Sequence, residues 1–537
     1  MQQYLISFLI FIPLIAVFAG IAIPSEKGKS FRVLTLVVSF LQLFVLLFLY
    51  LGYDHGSGIQ FIEKQPWITL PLGNWGTLKA EYFVGIDGLS FPLVAMSVFV
   101  MFIATISSWN ISKNTKGYFL LFLLLNAAIM GTFTALDFLL FYLFFEFMLL
   151  PMFFLIAIWG GERREYASIK FFLYTLAGSI FILIVMIGLY ISIHEPGNGG
   201  TLVHSFNMIT MTEASNFISN SILDPHNPWQ LKIYNARYWG FLLLFFGFAI
   251  KLPMVPLHTW LPDAHVEAPT PVSVILAAIL LKIGGYGLAR IAFPIFPDAA
   301  IHFSWFIGLM GIISIVYGAL NAMSSRDLKK LIAYSSVSHM GFVLLGLASL
   351  TGEGISGAVY QMFSHGIISA MLFLLVGVIY DRTHDRTITN YSGLSSRMKK
   401  FTVFVMIGFF ASMGLPGFSG FIAEILVFLG AFRAPVANGL LHESFAIIAT
   451  LGLILGAAYY LWTLQRMFFG PLDLKGGMSL ESLTDLDRRE YIMLIPLALI
   501  TFAFGIFPQP VIDFIDPFAQ ELSNFVLTTG RKLTLTP

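Results

Sequence analysis

The chain has 537 residues, 57% of them hydrophobic and 11% charged, and its 30 Lys and Arg against 29 Asp and Glu leave a formal charge of +1. Soluble domains carry about a quarter of their residues as charges, and too little polar surface remains here to cover a soluble core. That excludes a soluble enzyme, a disordered scaffold and a nucleic-acid binder, and the absence of cysteine excludes disulfides, thiolate metal sites, iron–sulfur clusters and covalent haem in this chain.

Apolar runs of about twenty residues, enough to cross a bilayer as a helix, recur from end to end. They predict an all-α polytopic membrane protein with fourteen spans, near 4–23, 31–52, 86–108, 117–136, 138–158, 168–192, 238–260, 271–293, 302–322, 328–349, 356–380, 401–432, 444–467 and 491–511. A transmembrane barrel would need alternating strands of about ten residues, and runs such as Phe138 to Ile158 do not alternate. The first span has no positive residue before it and three just after, the pattern of an uncleaved helix.

Two of the spans carry breaks. In the seventh, Pro253 and Pro256 closely follow Lys251; in the twelfth, Gly414, Pro416, Gly417 and Gly420 precede Glu424. Proline removes backbone hydrogen bonds, and within a membrane the freed groups persist only against protein or a wet cavity. Interrupted helices at corresponding places in two halves point to an inverted-repeat transporter, with spans 4–8 and 9–13 as the five-helix halves. Two unrelated kinks are the alternative. The expected organisation is three N-terminal spans in 1–116, the first repeat in 117–293, the second in 302–467, and the last span with a short outer tail in 468–537.

Loop charges set the orientation. With the N-terminus outside, twenty Lys and Arg, among them Lys29, Lys116, Lys329 and Arg397, fall in cytoplasmic loops. Eight, among them Lys64 and Lys232, fall outside. Both termini are therefore expected on the outer side. The long connections are 53–85 and 193–237 outside, and 381–400 and 468–490 inside. None has room for a separate soluble domain. Residues 193–237 are turn-rich and have room for a short hairpin, and the tail after 511 for a short surface helix.

An acid or base at the centre of a bilayer costs roughly 2.5–3.5 kcal/mol, so each one is a functional candidate. Six stand out, on six different spans: Glu146, Lys251, Lys282, His339, His365 and Glu424. Any one alone serves equally well as a packed hydrogen bond or ion pair between helices. Six together favour a pathway. The run HTWLPDAHVEAPTP clusters His258, Asp263, His265 and Glu267, but its prolines and irregular spacing fit no zinc or EF-hand template. It reads better as a structured cytoplasmic mouth to the seventh span. GKS at 28–30 is no phosphate loop, since Ile23 stands where that pattern needs glycine. Asp87 and Asp137 most simply cap helix starts, although Asp137 would also suit an outer gate.

At these residues the chain resembles the antiporter-like membrane subunits of proton-pumping NADH-quinone oxidoreductase (respiratory complex I). The stretches that carry the likeness are LDFLLFYLFFEFMLLPMF, KLPMVPLHTWLPDAHVEAPTPVSVILAAILLKIGGYGLAR, DLKKLIAYSSVSHMGF and GLPGFSGFIAE. The family's fold has fourteen spans with two inverted five-helix repeats about a polar axis. By resemblance, Glu146 and Lys251 become its glutamate–lysine pair, Lys282, His339 and His365 its central relay, and Glu424 its exit-side residue. L- and N-type chains typically carry lysine on the twelfth span, so Glu424 and the short tail put this chain in the M-type branch. The resemblance further implies that this chain binds no cofactor, with NADH, flavin, iron–sulfur clusters and quinone belonging to partner subunits. It implies L- and N-type membrane partners, a bacterial inner membrane, and protons as cargo. The rival within the family is a subunit of a multisubunit sodium/proton antiporter.

Overall fold

The computed structural model of the chain describes residues 4–56, 58–71, 77–195, 203–226, 235–476 and 480–535. Lys232 of the outer loop count lies outside the described residues.

The first two spans are α1 (Leu5–Ala22) and α2 (Gly28–Gly52). An antiparallel hairpin of β1 (Gln60–Pro71) and β2 (Thr77–Ile86) follows. Then come α3 (Ser90–Ser107) and α4 (Thr115–Thr134). The fifth span is α5 (Phe138–Phe147) plus α6 (Leu149–Trp159), and the sixth is α7 (Arg164–Ser192). After it β3 (Val203–Ser205) pairs parallel with β2, and α8 (Met208–Thr212) is one short helix. The seventh span is split into α9 (Ala236–Lys251) and α10 (Trp260–Glu267). The eighth strings α11 (Thr270–Ile275), α12 (Leu281–Gly287) and α13 (Phe293–Ile295) together through π-helical turns at Leu276–Leu280 and Leu288–Ala292.

Three long helices, α14 (Pro297–Ser324), α15 (Leu328–Ser349) and α16 (Gly352–Thr383), come next. The twelfth span is again split, into α17 (Lys399–Ser412) and α18 (Ser419–Ala437). The thirteenth is α19 (Ser444–Ala449) with α20 (Leu451–Phe468), and the fourteenth is α21 (Arg488–Ile506). The chain ends in α22 (Gln509–Leu535).

Among the described residues, thirteen helices are long and apolar enough to cross a membrane. The expected seventh span falls short of that length because Pro253 ends α9 after 16 residues. Burial sorts the helices. The apolar windows of the eighth, tenth and eleventh spans are 100%, 94% and 100% buried, whereas those of α1 and α2 are 44% and 28% buried. The inner spans are the ones that carry Lys282, His339 and His365, so the chain's own helices wall these residues off from lipid. Close crossings use glycine: α14 and α15 meet where a Cβ on Gly311 would lie 2.9 Å from the Gly341 carbonyl, the small-residue contact that lets membrane helices approach.

Both aspartates cap helices as expected. Asp87 Oδ1 accepts from the backbone of Leu89 and Ser90, and Asp137 Oδ1 accepts from Leu140. Asp137 also takes the Glu81 amide through Oδ2, at 3.0 Å, which pins the hairpin to the start of α5. Burial, and the neighbouring Glu81 charge, push its carboxyl up to about 6.

The structure departs from the sequence reading in the outer connections and in the tail. The long hairpin lies in 53–85, where none was expected; in 193–237 the described residues supply only the single short strand β3. The tail helix is not short: α22 runs 27 residues. Its apolar face includes Phe514, Ile515, Ala519, Leu522 and Val526, all buried against the bundle, a period that strings of charge such as Asp513, Asp516 and Glu521 obscure in a hydropathy reading.

Candidate functional site

The seventh-span break is built from the local sequence. Past Lys251, Leu252 still donates to Phe248, but Met254 donates back to Ala249 and Val255 leaves the ladder for Ser314 Oγ. Met254 takes the place of the N–H that Pro253 cannot offer to Ala249, and the Ile250 carbonyl it leaves free accepts from the Trp260 indole at 2.9 Å. Lys251 therefore ends a helix in the bundle interior. Its Nζ is buried with no hydrogen-bond partner and sits 4.6 Å from the centre of the Phe145 ring.

Glu146 precedes a break of its own. Pro151 cannot donate to the carbonyl of Phe147, one turn before it, and the helix is interrupted at Met148 between α5 and α6. One Glu146 oxygen is buried without a partner. Glu146 Oε1 and Lys251 Nζ are thus both buried without a hydrogen-bond partner, and the two side chains form no ion pair. The two expected partners are not in hydrogen-bond or ion-pair contact.

Lys282 lies on α12 directly after the first π-helical turn, whose Ala277 carbonyl accepts from Nζ at 2.6 Å. Such turns concentrate at functional positions because they leave a carbonyl out of the regular ladder. The same Nζ is 2.7 Å from Nδ1 of His365 on α16. The His365 and His339 ring centres are 5.2 Å apart. His339 in turn places Nδ1 3.2 Å from Gln361 Nε2 and 3.7 Å from Glu424 Oε1. All four of these ionisable side chains are buried.

Glu424 points back into the gap between α17 and α18. Gly414 there has φ +71°, and a Cβ on it would run into Glu424 Oε2. Glycine is thus required twice, for the left-handed backbone and for the space the carboxylate occupies.

Four of the six candidates, Lys282, His365, His339 and Glu424, form one contiguous series across α12, α16, α15 and α18. Lys251 and Glu146 form a second group, and the two groups are bridged by the packing of α12 against α9, where a Cβ on Gly284 would lie 2.6 Å from the Leu252 amide nitrogen. Sequence reasoning missed a polar branch. From His339 Nε2 it runs to Ser412 Oγ at 3.2 Å, to the Tyr460 hydroxyl at 2.7 Å, and to Ser335 Oγ at 3.0 Å. Uncharged groups barely lower hydropathy. The adjacent Tyr459 and Tyr460 inside an otherwise apolar run were the signal available.

Among the described residues no group of three or more His, Asp or Glu is placed to hold a metal. The His258 to Glu267 cluster is dispersed: Asp263 pairs with Lys170 at 2.7 Å, Glu267 accepts from the Arg163 backbone, and His265 stacks on Phe373. Towards the other face, buried Arg237 grips Asp298 with Nε and Nη2, at 3.1 and 2.7 Å, and ties α9 to α14.

Fold and site together define a polytopic helical membrane protein with an internal axis of ionisable side chains. The chain belongs to the family described as NADH:quinone oxidoreductase/Mrp antiporter, TM, whose profile matches residues 135–451. A second profile, NADH-ubiquinone oxidoreductase chain 4, amino terminus, matches residues 66–136. The chain is 40% identical to NADH-quinone oxidoreductase subunit M of Rhodobacter capsulatus over 97% of its own length and 96% of that protein's. It is similar to a chain in the structure of respiratory complex I from Thermus thermophilus with bound NADH, with TM-score 0.78 and 28% identity, covering 98% of this chain and all of that one. A chain of the Mrp complex from Dietzia sp. matches with the same TM-score, 0.78, at 19% identity over 100% of this chain and 99% of that one, a likeness of fold alone. The family expected from the sequence is thus borne out.

Proposed function

We propose that this chain is the proton-translocating, non-redox membrane subunit of an NADH:quinone oxidoreductase of the bacterial inner membrane. In this reading protons move along the Glu/Lys/His axis and quinone is reduced in other chains. The observation that carries the reading is the buried series from Lys282 through His365 and His339 to Glu424, four ionisable side chains in sequence across four helices. The 40% identity with a subunit M over nearly full length favours the oxidoreductase over a stand-alone cation antiporter.

The work of a step is within reach of a charge switch. Moving one charge against 100 mV costs about 2.3 kcal/mol. A carboxylate and an ammonium 4 Å apart interact by about 4 kcal/mol at an effective dielectric constant of 20. Bringing the Glu146 carboxylate towards Lys251 would hold a proton on the lysine. Withdrawing it would release that proton towards Lys282. From Lys282 the proton passes to His365 Nδ1, then to His339, and Glu424 is the last acceptor before the outer side.

The rest of the reading follows the same support. The repeats are 117–293 and 302–467, after three N-terminal spans in 1–116 and before the closing segment 468–537. Both termini face outward, L- and N-type chains are the membrane neighbours, and NADH, flavin and iron–sulfur centres reside in partner subunits. Purification from native membranes tests the assignment: the chain should travel with flavin and iron–sulfur subunits, and travel with antiporter subunits alone would overturn it.

A further inference from the structure

We propose that Gln361 is a positioning residue for proton transfer from His339 to Glu424. Its amide turns over to offer His339 Nδ1 either a donor or an acceptor, so that this nitrogen gains and loses a proton without losing its hydrogen bond. The proposal rests on the reading of His339 as a proton carrier and adds what readies the ring for each half of its cycle.

Gln361 lies buried on α16, one turn before His365. Residues four apart share a helix face, and both of these side chains reach the His339 ring. Gln361 Nε2 is 3.2 Å from His339 Nδ1, while the other end of the amide, Oε1, is buried without a partner. A buried oxygen left unpaired is costly, and an apolar side chain of the same shape would fill the space without that cost. Packing alone does not account for an amide here.

The orphaned end is what leaves the amide free to turn. An amide nitrogen only donates and an amide oxygen only accepts. Among the described residues no second bond holds either end. Half a turn about the last side-chain bond therefore exchanges donor for acceptor at Nδ1 and leaves one end unpaired as before. The other ring nitrogen has a partner of the same kind: Nε2 is 3.2 Å from Ser412 Oγ, a hydroxyl that donates or accepts by rotation. Neither nitrogen of His339 is tied to one protonation state. Nδ1 is also the nitrogen that faces Glu424, 3.7 Å from Oε1, so a proton bound for Glu424 leaves from the atom that Gln361 attends.

The step balances at these atoms. With the ring doubly protonated, the amide oxygen accepts from Nδ1–H. That N–H bond breaks, an O–H bond forms at Glu424 Oε1, and the electron pair left on Nδ1 accepts from the turned amide N–H. Imidazolium and carboxylate both become neutral.

The test measures proton uptake by inside-out vesicles matched for assembled complex on native gels. Gln361→Met keeps the reach of the side chain and removes both amide groups. Gln361→Glu keeps the shape, but its ionised carboxylate only accepts and so holds the proton on Nδ1. His339→Ala is the reference. Both Gln361 variants should fall well below wild type towards the His339→Ala value, Gln361→Glu the lower of the two. Gln361→His, whose ring again donates or accepts, should retain more uptake than either. Wild-type uptake in Gln361→Met, with His339→Ala lowered, would reduce Gln361 to packing and leave the axis intact. Wild-type uptake in Gln361→Glu would show that a one-way hydrogen bond suffices, and would overturn the proposal equally. Wild-type uptake in His339→Ala would instead overturn the reading on which the proposal rests. Should Gln361→Met fail to assemble, Gln361→Glu against Gln361→His decides: equal uptake in these two overturns the proposal.

Discussion

Lys282 Nζ lies 2.7 Å from His365 Nδ1, and the partners of that ammonium are this ring and the Ala277 carbonyl, with no carboxylate between them. A lysine so placed faces an imidazole nitrogen and no carboxylate, which is the arrangement for handing a proton on. Arginine in the same place would keep the charge but not release it, since the guanidinium stays protonated in proteins. Lys282→Arg is therefore expected to assemble and to lose pumping as fully as Lys282→Ala, measured as the proton-to-electron ratio in vesicles. Wild-type pumping by the arginine variant would show that only the charge matters.

Glu146 and Lys251, not in ion-pair contact, call for a different outcome. Lys251→Ala or Glu146→Ala should strongly reduce both pumping and coupled quinone reductase activity while assembly survives on native gels. Glu146→Asp should be milder, because the charge remains while its reach shortens. Normal stoichiometry in both alanine variants would reduce the pair to packing.

The twelfth-span break separates two glycines by cause. Gly414 and Gly417 both have positive φ, +71° and +96°, so alanine at either costs about 1–2 kcal/mol of backbone strain. Only Gly414 is also packed against Glu424 Oε2, whereas nothing lies within 4 Å of a Cβ at Gly417. Gly414→Ala should lower pumping in assembled complex well below Gly417→Ala. Equal losses would mean that the carboxylate position is unimportant.

Much of this was legible in the sequence for a plain reason: a charge in lipid is costly, so Lys282 or Glu424 stands out against its apolar run without any structure. The proline breaks after Lys251 and before Glu424 were equally visible. The hairpin at 60–86 was not, because its strands of 12 and 10 residues are partly polar and overshadowed by the flanking apolar spans. Nor was the interruption at Met148 foreseen, although Pro151 marks it, since a single proline in a membrane helix is often absorbed. The branch through Ser412, Tyr460 and Ser335 escaped because hydroxyls carry little hydropathy penalty. The separation of Glu146 from Lys251 is a matter of distance, which no spacing along two different helices encodes.

Topology is tested separately from mechanism. Cysteines introduced at Lys29, Lys116 and Arg397 should label only from the cytoplasm, and those at Lys64 and Asn198 only from outside; Asn198 lies outside the described residues. Labelling of both sets from one side would sink the fourteen-span arrangement.

The account turns most directly on Glu424, which closes the buried series 3.7 Å from His339 and sits where the helix break frees backbone groups. The deciding measurement is proton uptake by membrane vesicles carrying Glu424→Gln or Glu424→Lys, with assembly verified on native gels. A group that must gain and lose a proton predicts that glutamine, which keeps the shape but cannot titrate, impairs pumping severely, while lysine retains part of it. A nearly silent Glu424→Gln beside a disruptive Glu424→Lys would contradict the account and leave Glu424 a packing residue.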